Sequence, residues 1–210
     1  MEPPGPGRGT SSSDRRREVV AAGHRGDPAA VAAARSDPDP SVRAARLGAL
    51  ARLGTLSVAD LAQAFEDGDP AVRRRAAVLG ARCGGKGSRS TLPALLGRLI
   101  ADPDPLVAEA AAWALGERRH RRSVAALGAM ATGHGDPRCR EAAVASLGAI
   151  GDPLGLPAVL AALADRPPVR RRAVVALAGF AGPEVEHALT GCLDDPDWQV
   201  RQAAEILLGR

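Results

Sequence analysis

DPLVAEAAAWALGER (residues 104–118) carries the start, the buried face and the end of one helix. Asp104 offers a side-chain oxygen to the free N–H groups of a first turn, and Pro105 has the φ that the turn requires while lacking an N–H. Val107, Ala111 and Leu115 follow at four-residue steps, which is one apolar face of a helix. The phrase recurs along the chain. It returns as DPSVRAARLGALARLG from Asp39, DPAVRRRAAVLGARCG from Asp69, DPRCREAAVASLGAIGD from Asp136, RPPVRRRAVVALAGFAG from Arg166 and DWQVRQAAEILLGR from Asp197. The anchor falls at Val42, Val72, Val107, Cys139, Val169 and Val200, at intervals of 30, 35, 32, 30 and 31 residues. That period predicts stacked two-helix units, because no single unit can cover its own apolar face.

Between the phrases lie shorter apolar segments, SVADLAQAF (57–65), TLPALLGRLI (91–100), SVAALGAMA (123–131), LPAVLAAL (156–163) and VEHALTGCL (185–193), each read as the first helix of a unit. Gly54, Gly84 and Gly151 stand where a left-handed residue would end the second helix. Upstream, RRREVVAAGHRGD (15–27) matches the second half of the phrase, with Asp14 at the anchor, and predicts a capping helix. The expectation is an all-α solenoid of about six repeats plus this cap over 14–210, preceded by a disordered Pro-, Gly- and Ser-rich tail over 1–13. Small residues at Ala77, Ala112, Ala114, Ala143 and Ala176 would let second helices approach closely. The Arg after the anchor (43, 73, 140, 170, 201) meets the positive end of its helix dipole, so a compensating acid is expected. The capping Asp of the adjacent repeat is the simplest candidate, and would make a ladder down one edge.

Composition agrees with an α fold. Of 210 residues 45% are hydrophobic, with two Phe, two Trp and no Tyr, so Ala, Leu and Val must fill the interior. The net charge of +4 rests on 28 basic residues, nearly all Arg, against 24 acidic ones, a weak signal for nucleic acid. Cys83, Cys139 and Cys192 form no C-x-x-C pair and suggest neither a disulfide framework nor a zinc site. No signal-peptide h-region and no membrane span is visible, and a cytoplasmic location is expected.

The pattern D-P-x-V-R-x-x-A-x-x-A-L-G resembles the short HEAT-like repeat of phycobilin lyase subunits, the PBS-lyase HEAT-like family, over residues 14 to 210. That resemblance implies a right-handed superhelix with first helices outside and second helices lining a concave surface. It also implies two enzymatic alternatives, a phycobilin lyase-like role and a deoxyhypusine hydroxylase-like oxidoreductase. The hydroxylase resemblance requires His-Glu pairs for a di-iron centre, whereas His24, His120, His134 and His187 are followed by Arg, Arg, Gly and Ala. No metal, no cofactor and no catalytic residue is therefore expected, and the three cysteines read as buried packing residues. HEAT-like DNA glycosylases raise nucleic acid as a lesser alternative, on the clusters Arg15–Arg17, Arg73–Arg75, Arg118–Arg122 and Arg170–Arg172. No interleaved aromatics accompany these clusters, and the run ERRHRRS (117–123) reads as a solvated loop.

The favoured function is a non-catalytic scaffold that binds a protein or peptide on the concave face. Positions two, six and ten past the anchor would point into it. The middle row reads Val20, Gly48, Val78, Trp113, Ala145, Val175, Ile206, with Trp113 at its centre as the expected anchor for a partner. Arg74, Arg82 and Arg171 flank that row, and Glu109, Glu117 and Glu141 cluster near its middle, a pattern suited to a partner with a basic centre.

Overall fold

The computed structural model describes residues 10–209, and among these every regular element is helical. A capping helix, α1 (Ser12–Arg25), precedes six helix pairs. The pairs are α2 (Pro28–Ala33) with α3 (Pro40–Arg52), α4 (Val58–Phe65) with α5 (Pro70–Gly80), and α6 (Thr91–Leu99) with α7 (Pro105–Glu117). They continue with α8 (Val124–Gly133) and α9 (Pro137–Ile150), α10 (Leu156–Ala161) and α11 (Pro167–Leu177), and α12 (Pro183–Gly191) and α13 (Trp198–Leu208). The architecture is the expected right-handed superhelical solenoid. Each second helix packs along the next, from α1 through α13, while first helices touch one another over fewer residues. The second helices form the more tightly drawn layer, the inner one.

The helix starts follow the sequence signals. Asp39, Asp69, Asp104 and Asp136 each accept a hydrogen bond from the backbone N–H two residues on, at 2.8–2.9 Å. Helix α1 begins ahead of the expected boundary at Asp14, because Ser11 caps it by accepting from the Asp14 N–H at 3.1 Å. The expected disordered tail lies outside the described residues over its first nine positions. At the helix ends, Gly54 and Gly151 are left-handed with φ of 69° and 65°, but Gly84 is not, and Gly85 takes that conformation. After α7 the left-handed residue is Arg119, with φ of 47°.

One apolar core runs the length of the stack from Leu47 to Ala204, joined at the N-terminal end by a smaller cluster around Val19, Val31 and Val42. All six anchors are buried, including Cys139. Small residues bring the inner helices backbone to backbone: a Cβ added at Gly116 would meet Ser146 Oγ at 2.6 Å, and one at Gly148 would meet Ala176 Cα at 2.7 Å.

The arginine ladder exists with a different rung from the one expected. Arg43, Arg73, Arg140 and Arg170 each grip Asp67, Asp102, Asp165 and Asp195 of the following repeat through Nε and Nη2, at 2.6–2.9 Å. Arg15 holds Asp37 in the same way. Four of these five partners lie two residues before a capping Asp, whose own carboxylate accepts from its helix's first turn, and Asp165 lies one residue before Arg166, the cap of α11. Each of these arginines from Arg43 onward also donates Nη1 to carbonyls of its own preceding loop, such as Arg43 to Asp37 O at 2.9 Å. The ladder therefore ties each loop to the next repeat. Arg46, at a position apolar in the other repeats, is buried and paired with Asp60 at 2.8 Å.

Candidate binding groove

The inner layer carries two adjoining recesses that share Val78 and Trp113. Helix α7 creates the shared wall: Ala110, Ala111, Ala112, Ala114 and Leu115 are buried around Trp113, which is itself 37% exposed. The first recess, about 530 Å³, brings together Arg74, Val78, Glu109, Trp113, Glu117 and Glu141 from α5, α7 and α9. The second, about 520 Å³, adds Arg82 beside Val78, Trp113 and Leu79. These seven are residues that the helical stripe singled out. The other two, Arg171 and Val175 on α11, line neither recess. Val175 stands exposed further along the same row, and Arg171 donates to Gln199 and lies 3.6 Å from Asp197.

Arg172 and Arg138 also line the first recess, although their positions, three past and one before the anchor, fall outside the stripe. Arg172 contacts Glu141 at 3.1 Å and Arg138 holds Asp136 at 2.8 Å. That pairing draws the Asp136 carboxyl down to about 2. Helix orientation, rather than sequence spacing, brings Arg172 across from α11. A contact between adjacent helices of this kind has no signal in one repeat read alone. With those two arginines paired, Glu109 and Glu117 remain four residues before and after Trp113 without an ion pair among the described residues, and Arg74 lines the same recess.

The reactive residue types are held in unreactive states. Cys83, Cys139 and Cys192 are buried thiols; burial raises all three, Cys139 to about 11, and Cys139 Sγ donates to Pro105 O at 3.2 Å. Among the described residues no group of three or more His, Cys, Asp or Glu is placed to hold a metal ion. No helix there is long and apolar enough to cross a membrane.

Comparison with known proteins bears on the repeat. The family model for HEAT repeats matches residues 92–178 and 156–210, more than half of the chain. The chain belongs to the HEAT-repeat family. No curated protein matches its sequence. Among solved structures this HEAT solenoid resembles E. coli YibA at 16% identity and a TM-score of 0.68, covering 97% of this chain and 76% of that one. It also resembles the complex of CpcE and CpcF of phycocyanin lyase from Nostoc sp., at 19% identity and a TM-score of 0.59, over 70% of this chain and 95% of that one. A designed armadillo repeat protein in complex with the peptide (KR)4 aligns at 15% identity with a TM-score of 0.57, over 95% and 99% of the two chains. At these identities the likeness is one of fold.

Proposed function

We propose that this HEAT solenoid is a binding scaffold whose concave face takes an extended peptide or protein segment bearing basic side chains. The observation that carries the reading is Trp113, a large apolar side chain left partly open on the most buried inner helix and shared by two adjoining recesses. An aromatic side chain at the centre of a groove suits an anchoring contact. Glu109 and Glu117, on the same helix at −4 and +4 from Trp113, would receive Lys or Arg side chains on either side of that anchor. The designed armadillo relative, of the same general architecture, is in complex with an alternating Lys-Arg peptide, which makes that peptide a natural probe.

The test compares binding of an alternating Lys-Arg peptide with that of an acidic peptide of equal length. The basic peptide should bind, and the acidic one should not. Trp113→Ala should weaken binding by about 2 kcal/mol or more, as truncation of a central aromatic anchor does. It should cost less stability than the ~3–5 kcal/mol of a fully buried aromatic. Glu109→Gln together with Glu117→Gln should weaken binding with no loss of fold. Equal binding of both peptides, or a Trp113→Ala melting temperature lowered as by a core cavity with peptide capture unchanged, would overturn the reading.

A further inference from the structure

The edge of the solenoid opposite the ladder gathers charge of one sign. Where α5 ends, α6 begins and the chain leaves α7, a recess of about 840 Å³ is lined by Arg89, Ser90 and the run from Arg118 to Arg122, with Ala81 and Pro93. Five guanidiniums and one imidazole line it, and no carboxylate does.

Contrary to the solvated-loop expectation, Arg118 is a structural cation. Its Nη1 donates to Gly80 O at 2.7 Å, Cys83 O at 3.1 Å and Ala81 O at 3.3 Å, and its Nη2 donates to Ser88 O. It thus closes the carbonyl end of α5, where the helix dipole is negative. Burial lowers the Arg118 pKa. The same surroundings depress His120, by burial first and then by the charges of Arg122 and Arg118, which registers a positive field in the recess. Around this fixed charge Arg89, Arg119, Arg121 and Arg122 are exposed. The nearest acid to any of them among the described ion pairs is Asp152, 3.7 Å from Arg121 Nε. Ser90 precedes α6 without making a capping hydrogen bond, so its hydroxyl is free to meet a ligand oxygen.

We propose that this recess binds a small ligand carrying two or more phosphoryl groups. Like charges around one recess, with Asp152 beside Arg121 their one acid among the described ion pairs, leave a mutual repulsion that a multivalent anion relieves. Guanidinium forks match phosphoryl oxygens in pairs, and the opening has room for more than one such group. The charges line a single recess, and no Phe, Tyr or Trp joins them for base stacking, which separates this site from a single-strand nucleic-acid surface.

Inorganic tripolyphosphate, titrated into the full chain at low and at physiological salt, is the probe. Saturable one-site binding that weakens with salt is expected. Arg119→Gly removes one cation and relieves the left-handed backbone in the same change, so that paired with Arg122→Gln it should keep the fold while lowering affinity about tenfold or more. Arg16→Gln with Arg52→Gln removes the same net charge from exposed positions elsewhere and should leave affinity unchanged. Absence of saturable binding, an equal loss in both double variants, or tighter binding of a single-stranded oligonucleotide of the same total charge would each overturn the proposal.

Discussion

Gly148 concentrates the packing problem of this chain in one residue. A Cβ built there would lie 2.7 Å from both Cα and Cβ of Ala176, so α9 and α11 meet with no room for a methyl group. Ala is the better helix former by about 1 kcal/mol, yet overpacking a tight core costs about 1–3 kcal/mol. Gly148→Ala should therefore lower stability by up to about 2 kcal/mol in chemical denaturation. Gly97, inside α6 with nothing within 4 Å of its notional Cβ, supplies the contrast. Gly97→Ala should raise stability by up to about 1 kcal/mol. A gain at both sites would show that the inner helices do not touch as closely as described. The small residues were visible in the sequence, but not which would meet. Gly23 meets Ala49, Gly116 meets Ser146 and Gly148 meets Ala176, a pairing set by the offset between stacked helices.

At the scale of elements, the recurring Arg announced a need for an acid but not which acid. In the stretch Asp67-Gly68-Asp69-Pro70 the second carboxylate accepts from the Ala71 N–H, leaving Asp67 to meet Arg43. Arg140 tests the assignment. Its side chain is 15% exposed and it makes two bonds to Asp165 and two to loop carbonyls. Arg140→Ala should cost about 2–3 kcal/mol, since hydrogen bonds to charged groups are the stronger kind. In double-mutant cycles it should couple to Asp165→Asn by about 1 kcal/mol or more and be additive with Asp104→Asn. Additivity with Asp165 would rule the rung out. One rung is absent between α7 and α9, where Ala108 and His134 replace the Arg and the Asp. There Ser146 Oγ donates to Ala112 O at 2.8 Å beside the Gly116 contact, so close packing holds what the ion pair holds elsewhere. The groove was legible to the same degree as the ladder. The stripe of Trp113, Glu109 and Glu117 follows from helical spacing, whereas Arg172 enters from a neighbouring helix whose tilt no single repeat encodes.

Over the whole molecule, repeat period, helix caps and composition all pointed to one architecture, because a solenoid is made of local rules applied in series. The series also gives the molecule a common response to acid. Bonds from Arg15, Arg43, Arg140 and Arg170 hold Asp37, Asp67, Asp165 and Asp195 below the usual carboxylate range. At Asp102 burial is the largest influence and pulls upward, but the bond from Arg73, the bond from the Asp104 N–H and the Arg73 charge together outweigh it and the carboxyl is again lowered. An unfolded Asp titrates near 3.9, so each rung contributes stability that is fully present above about that pH and is lost as pH falls through the lower folded value. His120, depressed in the fold by burial and neighbouring arginines, acts in the same direction just below its unfolded value of about 6.5. Urea midpoints should therefore decline gently below pH ~6.5 and steeply below ~4. Arg73→Ala should flatten the steep part, because without its partner Asp102 gains less from ionising in the fold. The rungs are largely shielded from solvent, so added salt should change the steep part little. A profile below pH ~4 that is identical in the parent and the Arg73→Ala variant would place the acid sensitivity outside the ladder.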